Sequence, residues 1–202
     1  MKIEHEGKIP QIHESVYIAP NATICGDVTI GKNCRVMFGA QIIAENSPIE
    51  IGENCIILEN AVIRGTKGLP VRLGDNCLVG PNAHLAGCTI ENNVFLATGV
   101  SIFHGATIKK GSEIRVNGVV HLKTVFPENG TLPIGWVAVG NPMKMFPPDK
   151  HEEIWEIQKK SNFPNLVYDL PERENLADIN KKLCETMSER LNEHKSDRIL
   201  CK

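Results

Sequence analysis

Along most of the chain the aliphatic positions recur every six residues. From residue 73 they run Leu73, Val79, Leu85, Ile90, Leu96, Ile102, Ile108, Ile114 and Val120, and only the step from Leu85 to Ile90 is five. Four residues after each aliphatic stands a small one, as in Cys77, Ala83, Thr89, Val94, Val100, Ala106, Ser112, Gly118 and Thr124. A period of six is neither the 3.6 of a helix nor the 2 of a simple hairpin array. A slower repeat overlies it: "IGKN" at 30–33 returns as "IGEN" at 51–54, "LGDN" at 73–76, "IENN" at 90–93 and "IKKG" at 108–111. Three hexads make one turn of a triangular parallel β-helix, each short strand pairing with its equivalent one coil above at about 4.8 Å. The aliphatic and the small residue then point inward, and Gly, Asn and Asp occupy turns that need positive φ.

The steps of 21 and 22 residues early in the chain place extra residues in "AENSP" (44–48) and "GTKGLP" (65–70), expected to bulge as loops from one corner. Cys34, Cys55 and Cys77 share one hexad phase and so one inward column. No histidine or charge shares it, so they read as small hydrophobes filling a narrow core rather than as three metal thiolates. Cys25, Cys88, Cys184 and Cys201 form no informative spacing.

After Thr124 the repeat weakens. Trp136 is expected to cover the open end of the solenoid, since an exposed end is a template for aggregation. A helix is predicted in "PPDKHEEIWEIQKK", with Asp149 as N-cap and Glu152 three residues on, broken at Asn162–Pro164. His151 and Trp155 read as surface and packing residues. A second helix is predicted from about Glu172 to His194, with Leu176, Ile179, Leu183, Met187 and Leu191 on one face that needs a partner. The expected division is a β-helix domain over 1–146 and a helical extension over 147–202.

Composition narrows the partners. Net charge is −2, which gives no basic field for nucleic acid or an anionic membrane. No apolar run is long enough to span a bilayer. Seven cysteines without a CxxC pair, and an N-terminus without an apolar h-region, point to a reduced, cytoplasmic protein. Aromatic content is only 5 %, so aliphatics must fill the core.

The strict hexads over roughly residues 10–142 resemble the hexapeptide-repeat family, [LIV]-[GAED]-x-x-[STAV]-x. That resemblance implies an all-β, left-handed parallel β-helix of about seven coils with C-terminal α-helices, assembled as a homotrimer. Within the family, "IEIGENCIILENAVIR" (49–64), "LPVRLGDNCLVGPNAHLAGC" (69–88) and the helix after "VAVGNP" are similar to the gamma-class carbonic anhydrase branch. That branch holds zinc with three histidines shared between neighbouring subunits, and these map onto Arg64, Pro81 and Ala86. Pro and Ala carry no ligand atom and Arg stays protonated, so zinc is not expected at the usual place. The branch's supporting Arg and Asp map onto Ile43 and Glu45, and its Gln and Asp onto Leu58 and Glu59.

Hexad phase stacks Arg64, Ala86, Phe103 and His121 in one outward column, with His104 beside it and His84 at the nearby corner. His84, His104 and His121 are the candidates for a relocated metal, although Arg64 and His121 should lie about 14 Å apart. His5, His13 and His194 read as ordinary residues near the ends. Arg64 is expected either to pair with Glu45 and Glu59 or to hold an anionic substrate.

Two functions follow. One is an acyltransferase, expected to use acetyl-CoA on a small molecule at a trimer interface. His84 would be its general base, Arg64, Glu59 and Glu45 would share its site, and Asn82 and His121 would contact substrate. The other is a metal-dependent lyase with rearranged ligands, or a non-catalytic ligand-binding or structural trimer.

Overall fold

A computed structural model describes residues 1–66, 68–170 and 176–200. The coils stack into a left-handed parallel β-helix of about eight turns, followed by a few helices. Seven strands form one flat face, from Tyr17–Ile18 to Thr131–Leu132. The other two faces are continuous in one 15-stranded sheet. Register follows the sequence repeat: Leu78 pairs with Ile56 and Phe95, Thr89 with Arg72 and Thr107, and His84 with Val62 and Ser101.

Inward residues stack in columns. Ile30, Ile51, Leu73, Ile90, Ile108 and Phe126 lie on the first face and Val36, Ile57, Val79, Leu96, Ile114 and Leu132 on the second, all buried. Each coil alone cannot hide its aliphatics, and stacking removes both ends from water at about 25 cal/mol per Å² of apolar surface. Cys34, Cys55 and Cys77 lie in this core, and their thiols donate across coils to the carbonyls of Gly52 (3.1 Å), Gly74 (3.0 Å) and Glu91 (3.1 Å). Asn60, Asn82, Gly99, Asn117 and Gly135 all take positive φ at one corner, so Asn82 is a turn residue in a ladder of turns.

Three expectations change. "AENSP" is not a loop: it lies within the extended strand Gln41–Ile51, which turns the corner beside Thr23–Ile30. The extra residues are absorbed by a register shift: Gly26 pairs with Ala44 and Val28 with Ile49, so residues 45–48 bulge opposite Asp27 while the pairing resumes on either side. "GTKGLP" does form a tight turn, closed by a bridge between Thr66 and Leu69, Lys67 lying outside the described residues. At the five-residue step Cys88, not Thr89, fills the inward position. The deletion falls in the turn, so phase is set by the next aliphatic, Ile90, and Cys88 pushes its thiol inward, where burial raises its pKa to about 12. The first helix, α1 (His151–Gln158), is capped by Lys150 and not Asp149, with no side-chain cap bond. Asn162, in the left-handed region, then ends a short 3-10 turn, and Pro164 opens α2 (Phe163–Tyr168).

The last helix, α3 (Leu176–Leu191), buries Ile179 and half-buries Leu183 and Met187, while Leu191 remains exposed. Glu172, the side chain of Leu176, and Cys201 lie outside the described residues. Trp136 and Met143 are half-buried against the core at the closing end, where Lys144–Phe146 pairs antiparallel with Val137–Val139. A strand absent from the sequence expectation, Arg198–Leu200, pairs antiparallel with Lys2–Glu4. Among the described residues no helix is long and apolar enough to cross a membrane.

Candidate functional site

The third face carries the outward column expected from hexad phase. Cys25, Ile43, Arg64 and Ala86 are successive partners across four strands, and Phe103 and His121 continue the stack. The chain's own C-terminal segments cover this face. His104 meets the ring of Phe163 edge-on at 6.5 Å, and Arg190 of α3 donates two hydrogen bonds to Asn46 Oδ1 at 3.2 and 3.1 Å.

Arg64 forms an ion pair with Glu45, whose side chain is only 4 % exposed against 33 % for Arg64. A guanidinium therefore stands in the column where the gamma-class branch has a histidine. It is a fixed cation with donors only, so it neither ligates zinc nor leaves the space beside Glu45 uncharged. The neighbouring column position is Ala86, 2 % exposed, and Pro81 lies at the corner above Glu59. The residues present do not fit zinc at this place.

His84 is half-buried at the start of strand His84–Ala86. Burial first, and the Arg64 charge second, hold its pKa below the usual imidazole value, so it is neutral near pH 7. His104 is 8 % exposed and fills the gap left by the shortened coil: a methyl on Gly87 would lie 3.2 Å from its Cδ2. Its Nε2 is 3.4 Å from Thr66 Oγ1, and burial, then the charge of His84, lower its pKa to about 4. His121 is 6 % exposed and stacked on Phe103 at 5.5 Å, and burial lowers its pKa to about 4 as well. Thus Arg64, Glu45 and His84 share one neighbourhood. Glu59 and Asn82 sit at the corner, and His121 is sealed farther along the column. His84, His104 and His121 do not converge with a third ligand among the described residues.

The structure brings together residues the sequence left apart. His5, Cys25, His194 and Asp197 place one ligand atom each within 4.8 Å of one another. His5 Nδ1 lies 2.6 Å from Asp197 Oδ1, His194 Nδ1 2.9 Å from Oδ2, and Cys25 Sγ 3.8 Å from Oδ2. The two imidazoles stack with centroids 4.5 Å apart, and His194 Nε2 reaches to 3.8 Å from Glu45. Burial, then Asp197, pushes the Cys25 thiol up to about 11. Burial would raise the Asp197 pKa, but the hydrogen bonds of His194 and His5 prevail and lower it. The i, i+3 spacing of His194 and Asp197, and alternation in "RIL" and "KIE", were the sequence signals available. Nothing local tied them to Cys25.

Comparison with known proteins places this geometry. The description "Bacterial transferase hexapeptide (six repeats)" matches residues 9–44 and 70–104, and "Hexapeptide repeat of succinyl-transferase" matches 27–64. This is a hexapeptide-repeat β-helix protein. On sequence, the hexapeptide-repeat chain is 31 % identical to gamma carbonic anhydrase 2, mitochondrial, of Arabidopsis thaliana over 167 residues, 79 % of this chain and 58 % of that protein. It is 28 % identical to a carbonic anhydrase of Geobacillus kaustophilus over 107 residues, 53 % of this chain and 59 % of that one. The chain spans about three fifths of the length of these curated relatives. In structure it is similar to a hexapeptide transferase family protein from Anaplasma phagocytophilum, with a TM-score of 0.55, 23 % identity, and 92 % and 95 % of the two chains covered. That likeness establishes the fold.

Proposed function

We propose that the protein is an acyltransferase of the hexapeptide-repeat kind, working at a cleft between the subunits of a homotrimer. The observation that carries this reading is His84: a half-buried imidazole, kept neutral by burial and by Arg64, on the face beside the Glu59 and Asn82 corner. A neutral imidazole can take the proton from an acceptor amine or hydroxyl as the acceptor attacks the thioester carbonyl of an acyl-CoA. The carbon–sulfur bond then breaks, and the imidazolium returns that proton to the departing thiolate. Arg64, already balanced by Glu45, is placed to steer an anionic group of either substrate.

The exposed apolar residues of the second face, Ile56 and Phe95, and of the corner that follows it, Phe38, Val116 and Ile134, are what a trimer contact would cover. A groove lined by Leu58, Pro81, Phe95 and Ile134 runs along them.

The test is release of free CoA from acetyl-CoA, followed by chromatography, across a panel of small amines and hydroxyl acceptors. Turnover is expected, and His84→Ala should lower kcat by about 100-fold or more. Absence of both turnover and a thermal shift with acetyl-CoA would remove the reading. Unchanged turnover in the variant would remove His84 from it. The sequence relatives favour a second reading, a metal-dependent lyase with rearranged ligands. Arg64, Pro81 and Ala86 supply no ligand set for it, and CO2 hydration by zinc-equilibrated protein tests it directly.

A further inference from the structure

We propose that His5, Cys25, His194 and Asp197 form a closed four-ligand site for zinc or a similar divalent first-row ion, which staples the two ends of the chain together. This does not rest on the acyl-transfer reading, and its ligands are not the positions where the gamma-class branch holds zinc.

The first argument is convergence. The four side chains come from three segments: the turn after strand Lys2–Glu4, strand Thr23–Ile30, and the 3-10 turn after α3 with its capping residue Asp197. The pairing of the two terminal strands, Glu4 opposite Arg198, sets them face to face. Their ligand atoms lie within 4.8 Å of one another. Zinc–nitrogen and zinc–sulfur bonds of about 2.0 and 2.3 Å put the ligand atoms of a tetrahedral site with one sulfur about 3.3–3.5 Å apart. The cluster brackets that spacing, with contacts of 2.6, 2.9 and 3.8 Å to the carboxylate.

The second argument is that hydrogen bonding alone does not satisfy the cluster. One carboxylate serves two stacked imidazoles, and the thiol stands 3.8 Å from it, at the limit of a sulfur hydrogen bond. His5 is 1 % exposed, and its Nε2 has no partner among the described residues. Sealing polar groups away from water with incomplete partners costs free energy.

The third argument is charge and ligand chemistry. A divalent ion with one thiolate and one carboxylate is neutral overall, so closing the site buries no net charge. Two imidazoles, a thiolate and a carboxylate suit zinc, and the thiolate disfavours magnesium and calcium. Four protein ligands leave no open position, which marks a structural rather than a catalytic site. Glu45, 3.8 Å from His194 Nε2 and paired to Arg64, links the staple to the third face.

The 202-residue chain, produced without a histidine tag and equilibrated with zinc then desalted, should retain about one zinc per chain by elemental analysis. Cobalt substitution should give tetrahedral d–d bands and a thiolate-to-cobalt charge-transfer band. Cys25→Ser should abolish the charge-transfer band, and His194→Asn should weaken zinc binding by at least roughly tenfold. If Cys25→Ser fails to fold, the wild-type cobalt spectrum and His194→Asn, whose side chain is 30 % exposed near the chain end, decide the matter. Chelation should also speed proteolysis after α3. Protein that retains no zinc overturns the proposal. So does zinc whose retention is unchanged in folded Cys25→Ser and His194→Asn, or lost only on replacing His84 or His104.

Discussion

Replacing Arg64 with Met removes the cation but keeps most of the side-chain volume. Glu45 is then left 4 % exposed, with His194 Nε2 3.8 Å away as its remaining ion-pair partner among the described residues. Two unit charges about 4 Å apart attract by about 4 kcal/mol at an effective dielectric of 20. Breaking a buried pair from one side costs about 3–5 kcal/mol, because the remaining charge is uncompensated. Arg64 is one-third exposed, so water screens part of the interaction, and we expect a loss of about 2 kcal/mol. For a chain of this size that is a fall in Tm of about 4–8 °C. The double variant Arg64→Met/Glu45→Gln should recover most of it, giving a coupling of about 1.5 kcal/mol in a double-mutant cycle. Urea unfolding followed by the fluorescence of Trp136 and Trp155 reads all four proteins. A single variant within about 0.5 kcal/mol of wild type, or a cycle without coupling, would refute the ion pair as a structural replacement for a metal. If Arg64 serves chiefly to hold substrate, stability stays put and KM rises instead.

Three further outcomes follow from the structure. His104 and His121 have folded-state pKa values of about 4 against an ordinary 6.5, so the unfolded chain binds more protons between these limits. Stability should therefore fall as pH drops from about 6.5 to 4, and the double variant His104→Gln/His121→Gln should flatten that slope in urea midpoints measured at pH 7, 6 and 5. Cys34→Ala, Cys55→Ala and Cys77→Ala should each cost about 1–2 kcal/mol through lost packing while leaving metal content unchanged, a result that elemental analysis with urea unfolding checks. Gly26→Ala should destabilise by more than about 2 kcal/mol, because φ is +80° and the new methyl would collide with the Ala44 carbonyl oxygen; a shift of Tm by less than 2 °C would contradict the coil packing.

The hexad repeat alone determined the coil, the inward columns and the thiol stack, because each of these depends on contacts between residues at the same phase in successive turns. Periodicity reports such local, repeated geometry directly, and the outward run of Arg64, Ala86, Phe103 and His121 was legible for the same reason. The corner at 44–48 was not, since a turn-rich composition describes both a loop and a strand that shifts register, and only pairing with residues 23–30 chose between them. Counting forward from Leu85 places Thr89 inward, where Cys88 stands, because the deletion resets the phase at the following coil. The meeting of His5, Cys25, His194 and Asp197 lay beyond any sequence pattern. It depends on a terminal strand pairing with the other end of the chain, across |i−j| = 192 for His5 and Asp197, and no repeat encodes a contact made only once.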